Sequence, residues 1–326
     1  MKRQLKFLIG TFLLIVLPFL CYGVIEQKLS WHPKIIANFD STPMSVAYSS
    51  DGKTAVIGER DGTVSFYSFA SKKVVREWGT QSKIITSIAF SPDNKAVAFA
   101  GTEPRVQTYP QGNNILKLSN RFGSVWSVAF ASSNKTLATT HFNFEDSKSF
   151  YNICLWNLVD GKLKWSASAG TPPTTLAFAK QSSIIASGDL SNTVRFWDAS
   201  TGRLLRLFNK LGNVTVAAVS PDGKQIVASD AGTDTIKIWD VATMRVTRAL
   251  RGNSKPVFNA MFSPDGQRII ASCNDNTIRV WDKQKGYSLR TLKGHTARVT
   301  ATAFSPDSNA LVSVGQDNVM HFWRLR

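Results

Sequence analysis

"NDNTIRVWDKQKGYSLRTLKGH" at residues 274–295 and "QDNVMHFWRLR" at 316–326 begin alike and end differently. Each opens on a polar turn and runs through a strand-like stretch to a Trp. The first continues for another strand's length; the second stops. The shared part marks a repeating unit, and the short ending asks for a strand from elsewhere in the chain.

Two ladders of residues test the repeat. An aromatic residue or Val stands before a turn at Tyr48, Phe90, Phe130, Phe178, Val219, Phe262 and Phe304, with spacings of 42, 40, 48, 41, 43 and 42. A second ladder runs through Tyr67, Tyr109, Trp156, Trp197, Trp239, Trp281 and Trp323, spaced by 42, 47, 41, 42, 42 and 42. Periods of 40-odd residues indicate a propeller or an array, and two independent ladders agree on seven copies. Within a copy, "VTATAFSPDS" is an alternating strand closed by a Pro-Asp turn, then come "NALVSVG", a turn and "NVMHFW". No helical period follows the first 25 residues. Four short strands per copy is the pattern of a propeller blade.

The units resemble WD40 repeats, on "FSPDG" and its variants and on "TIKIWD" and "TIRVWD". The resemblance covers residues 34–326 and implies an all-β fold, a single seven-bladed β-propeller. Trp-Asp itself stands at 197–198, 239–240 and 281–282; the other copies depart from it. The family's structural tetrad would be His295, Ser313, Asp317 and Trp323 in the last copy. Asp61 and Asp275 occupy the family's turn-Asp position without a Gly-His before them. The strand order implied by the family leaves the last copy one outer strand short. "PKIIANFD" at 33–40 is the candidate to pair with it, closing the ring from the N-terminal side.

Residues 1–23, "MKRQLKFLIGTFLLIVLPFLCYG", are of another kind. Lys2, Arg3 and Lys6 precede an uncharged stretch from Phe7 to Ile25, which reads as an export signal. Cleavage after Gly23 would release the ring. Retention would leave residues 7–25 as a membrane anchor, just long enough to span. Both stay open, with 24–33 as a short linker. The expected location is therefore the cell envelope, periplasm or exterior, or a membrane surface. Bulky residues before Cys21 argue against a lipoprotein signal. Cys154 and Cys273 fall in different copies with no CxxC or Cys/His cluster, so neither a metal nor a cofactor is expected.

The net charge of +17 sits largely in Lys and Arg in or beside strands, where such residues discourage edge pairing. No long basic run or nucleic-acid-binding motif occurs, so nucleic acid is not an expected partner; an acidic protein is compatible. Phosphate-loop, nucleophile-elbow and zinc-protease motifs are absent from the sequence. The four His are far apart, and His321 stands where other copies carry Arg279 and Lys237, which suggests a surface strand position. "GKLKW" at 161–165 matches a quinoprotein fragment once, too weak to carry a cofactor.

The third copy is the longest, and its excess lies in "THFNFEDSKSFYN" at 140–152. Phe142, Phe144, Phe150 and Tyr151 there are either interface anchors or packing residues of a lengthened hairpin. Trp78, Arg121, Phe122, Lys210, Arg251, Lys255 and Arg298 belong to loops entering the blades on the same face. Exposure of Trp78 or Phe122 would favour binding; burial would leave them as packing. The leading expectation is a non-catalytic platform for a protein partner, with no small-molecule substrate. The alternative is an envelope propeller enzyme, or a small-ligand binder, using the central channel.

Overall fold

The computed structural model describes residues 33–326 except 114, 120–121, 146–147, 180–182, 190, 192, 209–213, 231–234 and 252–256, and except the side chains of 144–145, 148–149, 174, 214–217, 229–230 and 258. The expected export signal, the linker as far as residue 32, Arg121, Lys210 and Lys255 thus lie outside the described residues. Among those described, no helix is long and apolar enough to cross a membrane.

Among the described residues, seven four-stranded antiparallel sheets account for the secondary structure. Six are consecutive in sequence and span Pro43–Gly79, Ile88–Lys117, Ser124–Ser168, Pro173–Phe208, Val214–Leu250 and Val257–Leu292, blades one to six. Blade seven takes three strands from Val299–Arg324 and its outer strand from Lys34–Asn38. That outer strand runs antiparallel to the terminal one, with Lys34 opposite Phe322 and Asn38 opposite Val319. The backbone N–H of Phe39 extends the pairing to the Asn318 carbonyl at 2.9 Å. The strand missing from "QDNVMHFWRLR" therefore comes from the other end of the propeller sequence. All seven residues of the first ladder end the innermost strand of their blade.

Burial is greatest at the second strand of a blade, less at the innermost strand that lines the channel, and least at the outer strand. Second strands such as Thr54–Glu59 are buried at every residue, because neighbouring blades cover both faces. This is why they read as apolar or small runs, "TAVIGE" or "RIIASC", without clean alternation. Outer strands such as Leu204–Phe208 and Val246–Leu250 are exposed except at their last residue. Between blades five and six, Val227, Ile236, Ile238 and Leu250 meet Val257, Phe262, Ile269 and Trp281 in one apolar cluster. Each large side chain so buried contributes roughly 1.5–3 kcal/mol.

Two recurring devices fix the polar edges. In "SPD"-type turns the Ser hydroxyl donates to the Asp carboxylate two residues on, at 2.5–2.7 Å, from Ser49, Ser91, Ser220, Ser263 and Ser305. The same Asp oxygen then accepts a backbone N–H of the turn, as from Lys53 and Asn309. These bonds hold Asp51 and Asp307 below the usual carboxylate range. The acidic residues of these turns are thereby engaged in the turns themselves. At the rim, outer-strand donors reach a turn carbonyl of the next blade: Trp165 to Ala199 at 3.0 Å, Arg206 to Ala242 at 3.3 Å, Arg248 to Lys285 at 3.4 Å. Gly202 must be glycine here, since its φ is +73° and a Cβ would stand 2.6 Å from the Trp165 ring. Trp165 of "GKLKW" thus has a structural place in the rim.

Candidate partner-binding face

Antiparallel order puts the loops entering each blade at the same end of the sheets as the turns between second and third strands. This end is called the upper face. Six innermost strands carry a register shift at one equivalent point, after Pro43, Val125, Pro173, Val214, Val257 and Val299. The extra residue in such a bulge has no partner opposite and is re-aimed away from the ladder. It is Met44 in blade one, Trp126 in blade three and Thr300 in blade seven.

At the upper mouth of the channel these residues line a pocket of about 530 Å³ with Ile84, Thr102, Phe142 and Arg298. Its walls come from six of the seven blades, which places it on the ring axis. Trp126 is 44% exposed there and meets the Phe142 ring edge-on, centroids 5.8 Å apart. The Thr86 hydroxyl donates to the Trp126 carbonyl at 2.9 Å, tying blade two to the bulge. The sequence reading missed Trp126. Its signal was available: four residues before the first ladder the other copies carry Met44, Thr86, Thr174, Thr215, Phe258 and Thr300.

The expanded third copy is a hairpin of two ten-residue strands, Thr136–Glu145 and Lys148–Asn157. Cross-strand register sets Phe142 opposite Tyr151, Asn143 opposite Phe150 and Phe144 opposite Ser149. Phe142 turns to the channel mouth. Tyr151 packs into the cluster that joins blades three and four. Phe150 is 53% exposed. The Phe144 side chain is outside the described residues.

Among the loop residues, Trp78 is not a loop residue at all. It lies in the outer strand Lys73–Gly79, buried, edge-on to Phe66 at 4.4 Å. Its burial assigns it to packing, which removes it from the binding candidates. Phe122 is half-buried, packs on the cluster between blades two and three and meets His141 edge-on at 5.8 Å. Arg251 and Arg298 are exposed; the Arg251 carbonyl accepts the Trp281 indole N–H at 2.8 Å.

In blade seven the four tetrad side chains are brought together. Trp323 Nε1 donates to Ser313 Oγ at 2.8 Å, and Ser313 Oγ lies 2.7 Å from His295 Nε2. His295 Nδ1 stands 2.8 Å from Asp317 Oδ2, which also accepts the Thr296 N–H at 2.9 Å. The chain joins an entering loop, the second strand and the turn beyond it. Gly315 leaves it room, since a Cβ there would lie 2.8 Å from both His295 Nδ1 and Asp317 Oδ1.

Blade three holds a network the sequence reading did not find. Trp156 Nε1 donates to Thr139 Oγ1 at 2.7 Å, and that oxygen lies 2.7 Å from His141 Nε2. His141 is buried, and burial pushes its pKa down to about 4. In blade four, Asp189 pairs with Arg195 and accepts from the Thr171 hydroxyl at 2.5 Å. Asp275 bonds Thr277 and Arg279. Asp61 bonds its own turn at Thr63. Each of these three carboxylates therefore binds near its own turn or blade.

His321 is a correction. It is 2% exposed, between the rings of His295 (4.4 Å) and Trp323 (5.4 Å), and not on a surface. Its register mate Arg279 is itself buried and Lys237 half-buried, because this position faces the neighbouring blade.

The chain matches the family model "WD domain, G-beta repeat" at residues 163–198, 203–240, 244–282 and 286–324. A curated relative, Protein tipD of Dictyostelium discoideum, is 24% identical over 181 residues, covering 54% of this chain and 28% of that protein. Propellers of this family commonly bind protein partners and generally serve as interaction scaffolds. The first two blades and the three inner strands of the third, outside the matched segments, belong to the same kind of four-stranded sheet on the same ladders. The chain is a seven-bladed WD40-repeat β-propeller.

Proposed function

We propose that this propeller is a non-catalytic interaction platform that docks a protein partner on its upper face, over the channel mouth and the blade-three hairpin. The observation that carries the reading is Trp126, an indole displaced by a bulge into an open pocket beside Phe142, with Phe150 exposed on the same hairpin. Interfaces use such rigid aromatic side chains as anchors, and nothing in the ring's own core requires them there. Arg251 and Arg298 supply positive charge to the rim, which favours an acidic partner and speeds encounter with it. The apolar stretch 7–25 would deliver the ring to the envelope or exterior, either released or held at the membrane.

A channel enzyme would need ionisable side chains converging on the axis. The described lining of the mouth is Thr, Ser, Gly, Asn, Met, Ile, Val, Trp and Phe, with Arg298 its one ionisable member. That composition suits contact better than acid–base work.

The test is a photo-crosslinking amino acid placed at Phe150, with the same probe at Asn94 in a lower-face turn as control. A discrete adduct from Phe150, absent from Asn94 and lost when Trp126 and Phe142 are both Ala, supports the platform. Equal labelling from both faces, or an adduct that survives the double variant in a folded ring, overturns it.

A further inference from the structure

We propose that His295, Asp317 and His321 form a binding site for a divalent transition-metal ion of the zinc class, set just beneath the upper face in blade seven. This site is separate from the channel mouth, and it does not depend on the docking proposal. Two observations carry it independently. One donor atom from each of the three residues lies within 4.8 Å of the others. And His321, 2% exposed, has neither ring nitrogen hydrogen-bonded. A buried imidazole with both nitrogens unsatisfied is costly, and such a group calls for an occupant. The tetrad gives no reason for it, because Trp323, Ser313, His295 and Asp317 complete their chain without His321.

The donor set selects the class of ion. Two imidazoles and one carboxylate suit zinc, copper or nickel; calcium and magnesium prefer oxygen-rich shells. Zinc bonds His nitrogen and carboxylate oxygen at about 2.0–2.2 Å, so donors around it stand roughly 3.3 Å apart. His295 Nδ1 and Asp317 Oδ2 are at 2.8 Å and need open only slightly. His321 closes the remaining distance by turning about its side-chain bonds. Metal on His295 Nδ1 requires the ring proton on Nε2, where Ser313 Oγ lies 2.7 Å away to accept it. No net proton is released, and Ser313, accepting the Nε2 proton, holds the ring in the orientation that ligation needs. Access is by way of Asp317, whose turn neighbour Gln316 and partner Thr296 are both exposed.

The experiment uses the untagged full chain, stripped with a chelator that leaves it folded. Zn²⁺ is titrated calorimetrically, and Co²⁺ is added as a spectroscopic substitute. Expected are one saturable equivalent, a thermal midpoint raised by several degrees, and visible d–d bands with Co²⁺. His321→Phe keeps an aromatic ring in the pocket and leaves the tetrad residues in place. It should fold, bind Zn²⁺ at least tenfold more weakly and lose the bands. Asp317→Asn, which still accepts from His295, is the second variant and should weaken binding as well. Absence of saturable binding or of d–d bands in the wild type overturns the site, as does unchanged affinity in folded His321→Phe. The imidazole would then be satisfied by water.

Discussion

Blades three and seven solve one problem in different ways. Both bury a Trp at the end of the third strand and satisfy its indole N–H with a hydroxyl, Thr139 or Ser313, backed by a His. In blade seven the His comes from the entering loop and carries the chain on to Asp317, so loop, strand and turn are locked together. In blade three His141 sits two residues from Thr139 on the same strand, and the network stays local. The entering loop is met there by ring contact, Phe122 on His141. The lesson is that the Trp–hydroxyl pair serves burial, whereas the loop-borne His serves rigidity. The blade that keeps its network local is also the one with the extended aromatic hairpin.

The largest test removes the shared element. Trp323→Ala and Trp156→Ala should each cost about 3–5 kcal/mol in denaturant unfolding, since each empties a fully buried site. Similar losses would show that burial dominates in both blades. A cost below about 1 kcal/mol in either would break the premise.

The next separates the two His residues. His295→Ala strips Asp317 of its imidazole and Ser313 of one of its two partners, leaving a mostly buried carboxylate short of donors; about 2–3 kcal/mol is expected. His141→Ala removes one hydrogen bond and ring packing, and about 1–2 kcal/mol is expected. Hydrogen exchange sharpens the contrast: Thr296–Arg298 amides should exchange faster in the first variant, and Ser124–Val125 amides little faster in the second. Equal loosening of both loops would refute the division of labour.

How much of this was legible follows from what a side chain must do at its place. The seven blades were legible because every copy must end its innermost strand on a bulky residue and bury an aromatic residue at the second ladder. The blade-seven tetrad was legible because all four residue types stand in one copy. Blade three was not, because its His lies at a position no ladder tracks. Trp126 was hidden by the bulge, since period-two reasoning gives no place to a residue that leaves the ladder. His321 was misread from the charge of Arg279 and Lys237, though Arg279 is itself buried and meets its charge through Asp275, and Lys237 is half-buried. Trp78 was placed in a loop because the outer strands, exposed and basic, look like loops.

Acid pH probes the local network of blade three on a smaller scale. His141 has a folded pKa of about 4, below the ordinary 6.5, so its contribution to stability is present above pH 6.5 and lost as pH falls towards 4. Glu59, buried and bonded to the Ser65 hydroxyl, runs the other way. Burial raises it from 4.5 to about 7, so its contribution is present below pH 4.5 and lost as pH rises through 7. Thermal midpoints from pH 4 to 8 should fall less on the acid side in His141→Gln, and less towards neutral pH in Glu59→Gln. Curves parallel to the wild type would contradict both assignments.

The smallest effect on stability is expected where the effect on function is largest. Phe150 is half exposed and stands opposite Asn143 on a hairpin that projects from the ring. Phe150→Ser should change unfolding free energy by no more than about 0.5 kcal/mol, the ordinary range for a surface position. The equivalent cut at Tyr151, one residue on and facing the cluster between blades three and four, should cost several times more. If Phe150 serves docking, Phe150→Ser weakens partner capture without moving the melting curve, and Tyr151→Ser does the reverse. A destabilised Phe150→Ser would instead make the hairpin a packing element, and blade three would then differ from blade seven in architecture alone.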